Sequence, residues 1–412
     1  MYQPRDHSSR LAVRHTHAAP YAHPAGYDEA AMDNELLLQE MSALSTARQM
    51  LALLYCQSGR CADAKKHLVS EGFRWRLSAP VLNYCCTAAA PLPEASSSAA
   101  AAANDSSCDA FVGGRRAAAA VDGALPPLLL QHMQQVFAAP SPFWSEHCYD
   151  VLANSSRTAG YFSYLYPFRE RAAKSSIEQV IDHLYSTVVT SLFPEAARDC
   201  TVAEWWVHTR PHSSGHQLHF DSDETRTQST GDAAHPLVSL VLYVGENADM
   251  VGGPTLITDQ TLQSQRLAEK GWLCFPKTNR ALAFDAKYLH GVVPGKGACA
   301  DVNGRRLSFM VGFWASIQST QRAGGLPGPG QLFPAVEAHD PLRPNASANL
   351  RWPALMPVQP ECVVDPCSCA ASAPALLVPV NEVWEAVDRG SVASAIMRSK
   401  VKLPHIDQLF QF

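Results

Sequence analysis

The segment GHQLHFDSDE, residues 215–224, places two histidines and three acidic residues within ten positions. Side chains two positions apart on a β-strand point to the same face, so His219 and Asp221 would project together, whereas His216 would project the other way. One imidazole nitrogen beside one carboxylate oxygen suits a divalent transition metal. This parity selects His219 and Asp221 as two ligands of a metal site.

A third ligand is expected from a distant strand, and His290 in FDAKYLHGVVPG is the best candidate. It follows the β-rich run that ends in Phe284 and precedes Gly291. Two histidines and one carboxylate on one face of a metal leave three coordination positions open, and this ligand set favours non-haem Fe(II). Four other histidines are predicted to be surface or supporting residues, not ligands: His208, His212, His216 and His235.

Six short β-rich runs surround these residues: TVAEWWVHTR, PLVSLVLYVG, GGPTLIT, GWLCFP, RALAFD and RRLSFMVGFW. Turn residues separate them and no long helical pattern intervenes, which predicts an antiparallel sandwich or a double-stranded β-helix. A helix is predicted before them, capped by Ser175 or Ser176 and ended by Pro194, with apolar residues at helical spacing.

The series His219-x-Asp221, His290 and Arg306-x-Ser308 resembles the motif series of the Fe(II)/2-oxoglutarate-dependent dioxygenases. The stretch from LVLYVGE to RRLSFMVGFW is most similar to the prolyl-4-hydroxylase-like branch. The resemblance covers about Glu204 to Trp314. It implies a mainly β fold with a double-stranded β-helix (jelly-roll) core, flanking α-helices and a helical N-terminal region.

The resemblance also implies a chemistry and a set of ligands. Fe(II), 2-oxoglutarate and O2 would be used, with ascorbate as a further candidate cofactor, and the product would be a hydroxylated protein side chain or small metabolite. Arg306 would bind the distal carboxylate of 2-oxoglutarate, because a guanidinium offers a two-pronged donor to a carboxylate. Ser308 shares its strand face and Arg305 points the other way, although the 16 positions between His290 and Arg306 are more than the family's commonest spacing. Tyr243 would either donate a hydrogen bond to the co-substrate or be a core tyrosine bonded to backbone.

Composition, helical spacing and the resemblance together divide the chain of 412 residues into five regions. We predict a disordered tail at 1–30, a helical region at 31–86, an Ala-rich low-complexity insert at 87–120, the dioxygenase domain at 125–320 and a Pro-rich extension at 321–412. A short helix is predicted near 383–398 in that extension.

Composition narrows the classes of partner. The net charge is -5, with 33 basic and 38 acidic side chains, which disfavours nucleic acid as a partner. No apolar run approaches the length of a membrane span, and no secretory signal is recognised, so a cytoplasmic location is expected, with an organelle or the nucleus as alternatives. Two other functions stay open, an oxidative nucleic-acid demethylase and a non-catalytic cupin-like binding module.

Overall fold

A computed structural model describes residues 29–84, 109–149, 161–246, 251–299, 304–319, 328–333, 350–359, 372–388 and 408–412. These residues form a mainly β structure in which short helices flank several sheets, as the strand pattern predicts. Residues 1–28 of the predicted disordered tail lie outside the described part. Within that part, no helix combines the length and the apolar character that crossing a membrane requires.

The helices of the described residues are mostly short and precede the main run of strands. They are α1 Glu29–Gln57, α2 Cys61–Ser70, α3 Ala79–Leu82, α4 Pro127–Val136, α5 Pro142–Glu146, α6 Ser176–Leu184, α7 Thr190–Leu192, α8 Pro194–Asp199 and α9 Glu224–Thr230. A π-helical turn joins α6 to α7, and a 3-10 helix spans Trp352–Leu355.

The strands form two large sheets and one small sheet. They are β1 Trp75–Leu77, β2 Asp109–Val112, β3 Arg115–Asp122, β4 Tyr164–Tyr166, β5 Val202–Pro211, β6 His216–His219, β7 Val238–Tyr243, β8 Thr255–Thr261, β9 Gly271–Cys274, β10 Arg280–Phe284, β11 Tyr288–Val292, β12 Arg305–Trp314, β13 Gln331–Leu332, β14 Ala373–Ala375, β15 Val378–Val380, β16 Trp384–Ala386 and β17 Leu409–Phe410. All six predicted β-rich runs contain a strand.

The nine-stranded sheet has the order β13-β4-β5-β12-β7-β10-β3-β14, with β2 paired to β3, and the five-stranded sheet has the order β15-β9-β8-β11-β6. From β5 to β12 the chain passes back and forth between these two sheets. Buried side chains of both sheets, such as Phe284 and Ile257, belong to one hydrophobic cluster. The two sheets therefore pack face to face.

Helix α6 covers the outer face of the nine-stranded sheet. The Ser175 hydroxyl caps it by accepting a hydrogen bond from the Glu178 backbone N–H at 3.2 Å, which satisfies a backbone donor that the first turn leaves unpaired. Ile177 and Ile181 are fully buried and belong to the same cluster as Trp205 and other residues of that sheet. The predicted helix and its cap are thus present, and the helix supports strand β5 from behind.

The prediction of a low-complexity insert over 87–120 is wrong for residues 109–120, which form β2 and most of β3. Strand β3 lies between β10 and β14, and Ala117, Ala118, Ala119 and Ala120 are at most 1% exposed. Their methyl groups allow close packing on both faces of a sheet, and composition alone does not distinguish such a strand from an unstructured Ala-rich segment. Residues 85–108 lie outside the described part.

The helical N-terminal region and the C-terminal extension pack onto the five-stranded sheet. Strand β1 pairs with both β16 and β17, and residues of α1 to α3 share a hydrophobic cluster with residues of β6, β8, β9 and β11. The predicted helix near 383–398 is wrong at Trp384–Ala386, which forms β16; residues 389–398 lie outside the described part. The predicted boundaries at 125 and 320 therefore cut through the packed structure.

Candidate metal centre and its cavity

Strands β6 and β11 bring the two predicted histidine ligands together. His219 and His290 are directly paired across these strands, and Asp221 follows two residues after His219. The Asp221 Oδ1 atom lies 3.4 Å from His219 Nε2 and 3.6 Å from His290 Nε2. One ligand atom from each residue lies within 4.8 Å of the others, so the three side chains converge on one point.

Both imidazoles are oriented by the backbone. His219 Nδ1 lies 2.9 Å from the Gln217 carbonyl oxygen, and His290 Nδ1 lies 3.0 Å from the Tyr288 carbonyl oxygen. A carbonyl only accepts, so each Nδ1 carries a hydrogen, and each Nε2 is the nitrogen that faces Asp221 and can bind a metal in its place. Holding a histidine through its second nitrogen is typical of metal ligands. The donor set and its tautomers therefore fit a divalent metal ion.

The carboxylate of Asp221 is also held in place. The Ser239 hydroxyl donates a hydrogen bond to Asp221 Oδ2 at 2.6 Å, which leaves Oδ1 toward the histidines, and His235 Nδ1 donates to the Asp221 carbonyl at 2.6 Å. Burial opposes the charge, but the adjacent imidazoles of His290 and His219 lower the pKa of Asp221 well below its ordinary value. The group is therefore an anion at neutral pH, which is the form that binds a metal.

A cavity between the two large sheets contains the three residues and the predicted co-substrate arginine. Arg306 on β12 is 5% exposed, and its Nη1 donates a hydrogen bond to the Gly253 carbonyl at 3.2 Å. Within the described residues its guanidinium has no acidic partner. Burial lowers the pKa of Arg306 to about 10, so the side chain remains a cation at neutral pH.

Two adjacent glycines allow close approaches here, one to this arginine and one to the backbone of residue 293. Gly252 has a φ of +80°, and a Cβ placed there would lie 3.1 Å from Arg306 Nη1, whereas a Cβ on Gly253 would lie 2.0 Å from the Val293 carbonyl oxygen. A larger residue at either position would displace the segment that accepts the arginine's hydrogen bond.

Ser308 and Tyr243, the other residues predicted to bind the co-substrate, differ in whether they line the cavity. Ser308 is buried and lines the cavity beside Arg306, whereas Arg305 points to the other face of β12 and binds Thr209. Tyr243 is fully buried, and its hydroxyl is 2.7 Å from the Thr255 hydroxyl. Because Thr255, and not Tyr243, lines the cavity, the structure gives no support to a contact between Tyr243 and the co-substrate.

Several cavity residues were not predicted as part of the site. His208 and Arg210 on β5 line the cavity, and His212 accepts a hydrogen bond from the Gly252 backbone N–H at 2.9 Å. The prediction that His216 projects away from His219 is wrong, because His216 also lines the cavity and its ring centroid lies 4.5 Å from that of His219. Burial lowers the pKa of His208 to about 3 and that of His216 to about 2, so both are neutral. Strand alternation along TVAEWWVHTR puts His208 and Arg210 on one face. This is the sequence feature from which the two residues could have been predicted to lie together.

This chain is similar, at low sequence identity, to several solved structures. No family model and no curated protein sequence matches the chain. Solved structures that match include a prolyl-4-hydroxylase from Pseudomonas putida (14% identity, 48% of this chain, 84% of that chain, TM-score 0.29) and a prolyl hydroxylase from Trichoplax adhaerens in complex with a hypoxia-inducible-factor peptide fragment (16%, 48%, 84%, 0.29). HygX from Streptomyces hygroscopicus, solved with nickel and 2-oxoglutarate, matches at 12% identity over 48% of this chain and 81% of that chain, with a TM-score of 0.27. Similarity at this level does not assign a function to this chain.

Proposed function

We propose that this protein is an Fe(II)- and 2-oxoglutarate-dependent dioxygenase that hydroxylates a protein side chain or a small molecule. One observation carries the proposal: His219, Asp221 and His290 converge in a cavity whose wall also holds Arg306, a buried cation without an acidic partner in the described residues. A metal site and a carboxylate site in one cavity match what a metal-chelating dicarboxylate requires.

The topology supports a double-stranded β-helix as the core. Strands β5, β12, β7 and β10 are neighbours in one sheet, and β6, β11, β8 and β9 are neighbours in the other. The chain alternates between the two sheets along its sequence, which is how two antiparallel sheets are wound in a jelly roll. His219 and His290 come from one sheet and Arg306 from the other, and all three line the same cavity.

Bound Fe(II) would supply a centre at which O2 and the keto acid react to oxidise an adjacent C–H bond. The chain's own residues prepare that centre. Ser239 and the two backbone carbonyls fix the ligand atoms before any metal arrives, which lowers the ordering cost of binding. Arg306 would hold the distal carboxylate and so orient the keto end of 2-oxoglutarate toward the histidines. Phe284, whose ring centroid lies 4.6 Å from that of His290, supplies an apolar wall that limits water.

The test is an anaerobic titration of the protein, first with Fe(II) and then with 2-oxoglutarate. Binding of 2-oxoglutarate is monitored through the metal-to-ligand charge-transfer absorption band. We expect one Fe(II) per chain in the unchanged protein and none in His219→Ala or Asp221→Ala, with the circular dichroism spectrum preserved. Asp223→Ala is the matched control, because Asp223 instead caps α9 by accepting a hydrogen bond from the Arg226 backbone N–H at 2.9 Å. Full iron occupancy in Asp221→Ala would refute the metal site, and iron binding without the 2-oxoglutarate band would refute the co-substrate.

A further inference from the structure

Arg210 is a second cation in the cavity, and the proposed chemistry does not use it. Trp206, His208 and Arg210 alternate along β5 and all line the cavity. Arg210 is paired directly with Arg306 across β5 and β12. Among the residues that the structure describes, no hydrogen bond or ion pair involves the Arg210 side chain.

The charges around Arg210 are unbalanced. Like charges placed directly opposite on paired strands repel one another, and Asp221 is the sole acidic residue among the described residues that line the cavity. The nearby His208 is neutral and accepts no proton at physiological pH. A cavity with two guanidiniums and one metal-binding carboxylate is therefore suited to anionic ligands.

Charge balance indicates how many anionic groups the cavity needs. A divalent metal and two guanidiniums, set against Asp221, leave three positive charges, and 2-oxoglutarate brings two negative charges. One positive charge remains after both cofactors are bound. A single negative charge on the primary substrate would balance it, and this favours a carboxylate over a phosphate, which carries nearly two charges.

We propose that Arg210 binds a carboxylate group of the primary substrate, so that the enzyme oxidises a carboxylate-bearing compound. This inference rests on the proposed function. The guanidinium offers the two-pronged geometry that a carboxylate accepts. Trp206 at the other end of the β5 stripe packs against the 48% exposed ring of Tyr161, so this end lies nearer to solvent. With Met310 opposite Trp206, the walls between the opening and Arg210 suit an apolar segment of the same substrate.

The experiment uses the full chain loaded with Zn²⁺, a redox-inactive metal, and saturated with 2-oxoglutarate, so that Arg306 is occupied. Acetate, a small carboxylate probe, is titrated by ligand-observed NMR, with acetamide as its neutral counterpart. We expect acetate to bind and acetamide not to bind, and we expect Arg210→Gln to weaken acetate binding by about tenfold or more. Arg210→Lys should recover part of the affinity, which also guards against a folding defect in Arg210→Gln.

The control variant is Arg305→Gln, on the neighbouring strand but facing away from the cavity, and it should bind acetate as the unchanged protein does. Equal acetate binding by Arg210→Gln and the unchanged protein would overturn the inference, as would equal binding of acetate and acetamide. A loss of 2-oxoglutarate affinity in Arg210→Gln as large as that in Arg306→Met would also overturn it, because Arg210 would then belong to the co-substrate site. Failure of the unchanged protein to bind metal or 2-oxoglutarate counts instead against the proposed function.

Discussion

Removing the Arg306 guanidinium should have opposite effects on the ligand-free protein and on its complex with 2-oxoglutarate. Burial lowers the pKa of this group from 12.5 to about 10, which corresponds to a cost of roughly 3 kcal/mol for holding the charge inside the fold. Even buried charges that are paired can often be replaced by well-packed apolar side chains of similar volume with no loss of stability or with a gain of about 1–4 kcal/mol, and Arg306 has no acidic partner among the described residues to offset its cost. We therefore expect Arg306→Met to raise the free energy of unfolding of the ligand-free protein.

The same substitution leaves the distal carboxylate of 2-oxoglutarate buried without a partner. Breaking such a pair costs about 3–5 kcal/mol, or two to four decades of affinity. Arg306→Lys should recover only part of this loss, because an ammonium is a point charge and not a planar fork. The Fe(II) affinity should not change, since no ligand of the metal is altered.

Two measurements check these expectations. Urea unfolding gives the stability of the ligand-free variants, and anaerobic titration of the Fe(II)-loaded protein gives the 2-oxoglutarate affinity. Arg305→Met is the control, because its side chain binds Thr209 on the opposite face of β12. A 2-oxoglutarate affinity that falls in Arg305→Met and not in Arg306→Met would show that the strand faces are assigned wrongly, and equal affinity in both would place the carboxylate site elsewhere.

Three further substitutions test other parts of the structure. Ser239→Ala should weaken metal binding by about 10–100-fold, because Asp221 loses the hydrogen bond that orients it; unchanged metal affinity by calorimetry would refute that role. Tyr243→Phe should leave the 2-oxoglutarate affinity within about threefold and cost about 1 kcal/mol of stability, since its hydroxyl binds Thr255; a large loss of affinity would restore Tyr243 to the co-substrate site. Burial raises the pKa of Glu204 from 4.5 to about 7, so the folded protein keeps a proton that the unfolded chain releases, and stability should fall as pH rises between these values. Glu204→Gln should remove this slope. Urea unfolding should show that the free energy of unfolding of the variant exceeds that of the unchanged protein by up to about 3 kcal/mol at pH 8 and differs little at pH 5.

The core of the metal site could be predicted because strand periodicity fixes which side chains share a face. The choice of Arg306 over Arg305 follows from alternation along β12, and the structure places Arg306 in the cavity. The choice of His219 and Asp221 used the same rule, but β6 ends at His219, and His216, which the rule sent to the other face, also lines the cavity. Arg210 could have been found by the same argument, but without a partner strand the sequence does not show which face of β5 meets the metal.

Other features depend on contacts that local sequence does not encode. Half of the residues of β3 are alanine, and only the position of the strand between β10 and β14 makes burial of these methyl groups favourable. Strand β16 has three residues, too few for a periodic pattern, and exists because β1 pairs with it. The hydroxyl of Tyr243 has several possible partners in sequence terms, and packing between the two large sheets selects Thr255.

The pairing of β1 with β17 has a consequence for how the molecule is made. Trp75 lies beside Leu409, over three hundred positions later in the chain. Contacts between such distant segments form slowly, since a long loop must close before any stabilising contact is gained. During synthesis, α1 to α3 leave the ribosome long before β16, β17 and the five-stranded sheet on which they pack. Their apolar surfaces therefore lack the five-stranded sheet until β6 to β11 emerge and β1 lacks both partner strands until β16 and β17 emerge, so we expect the nascent chain to depend on chaperones over this interval.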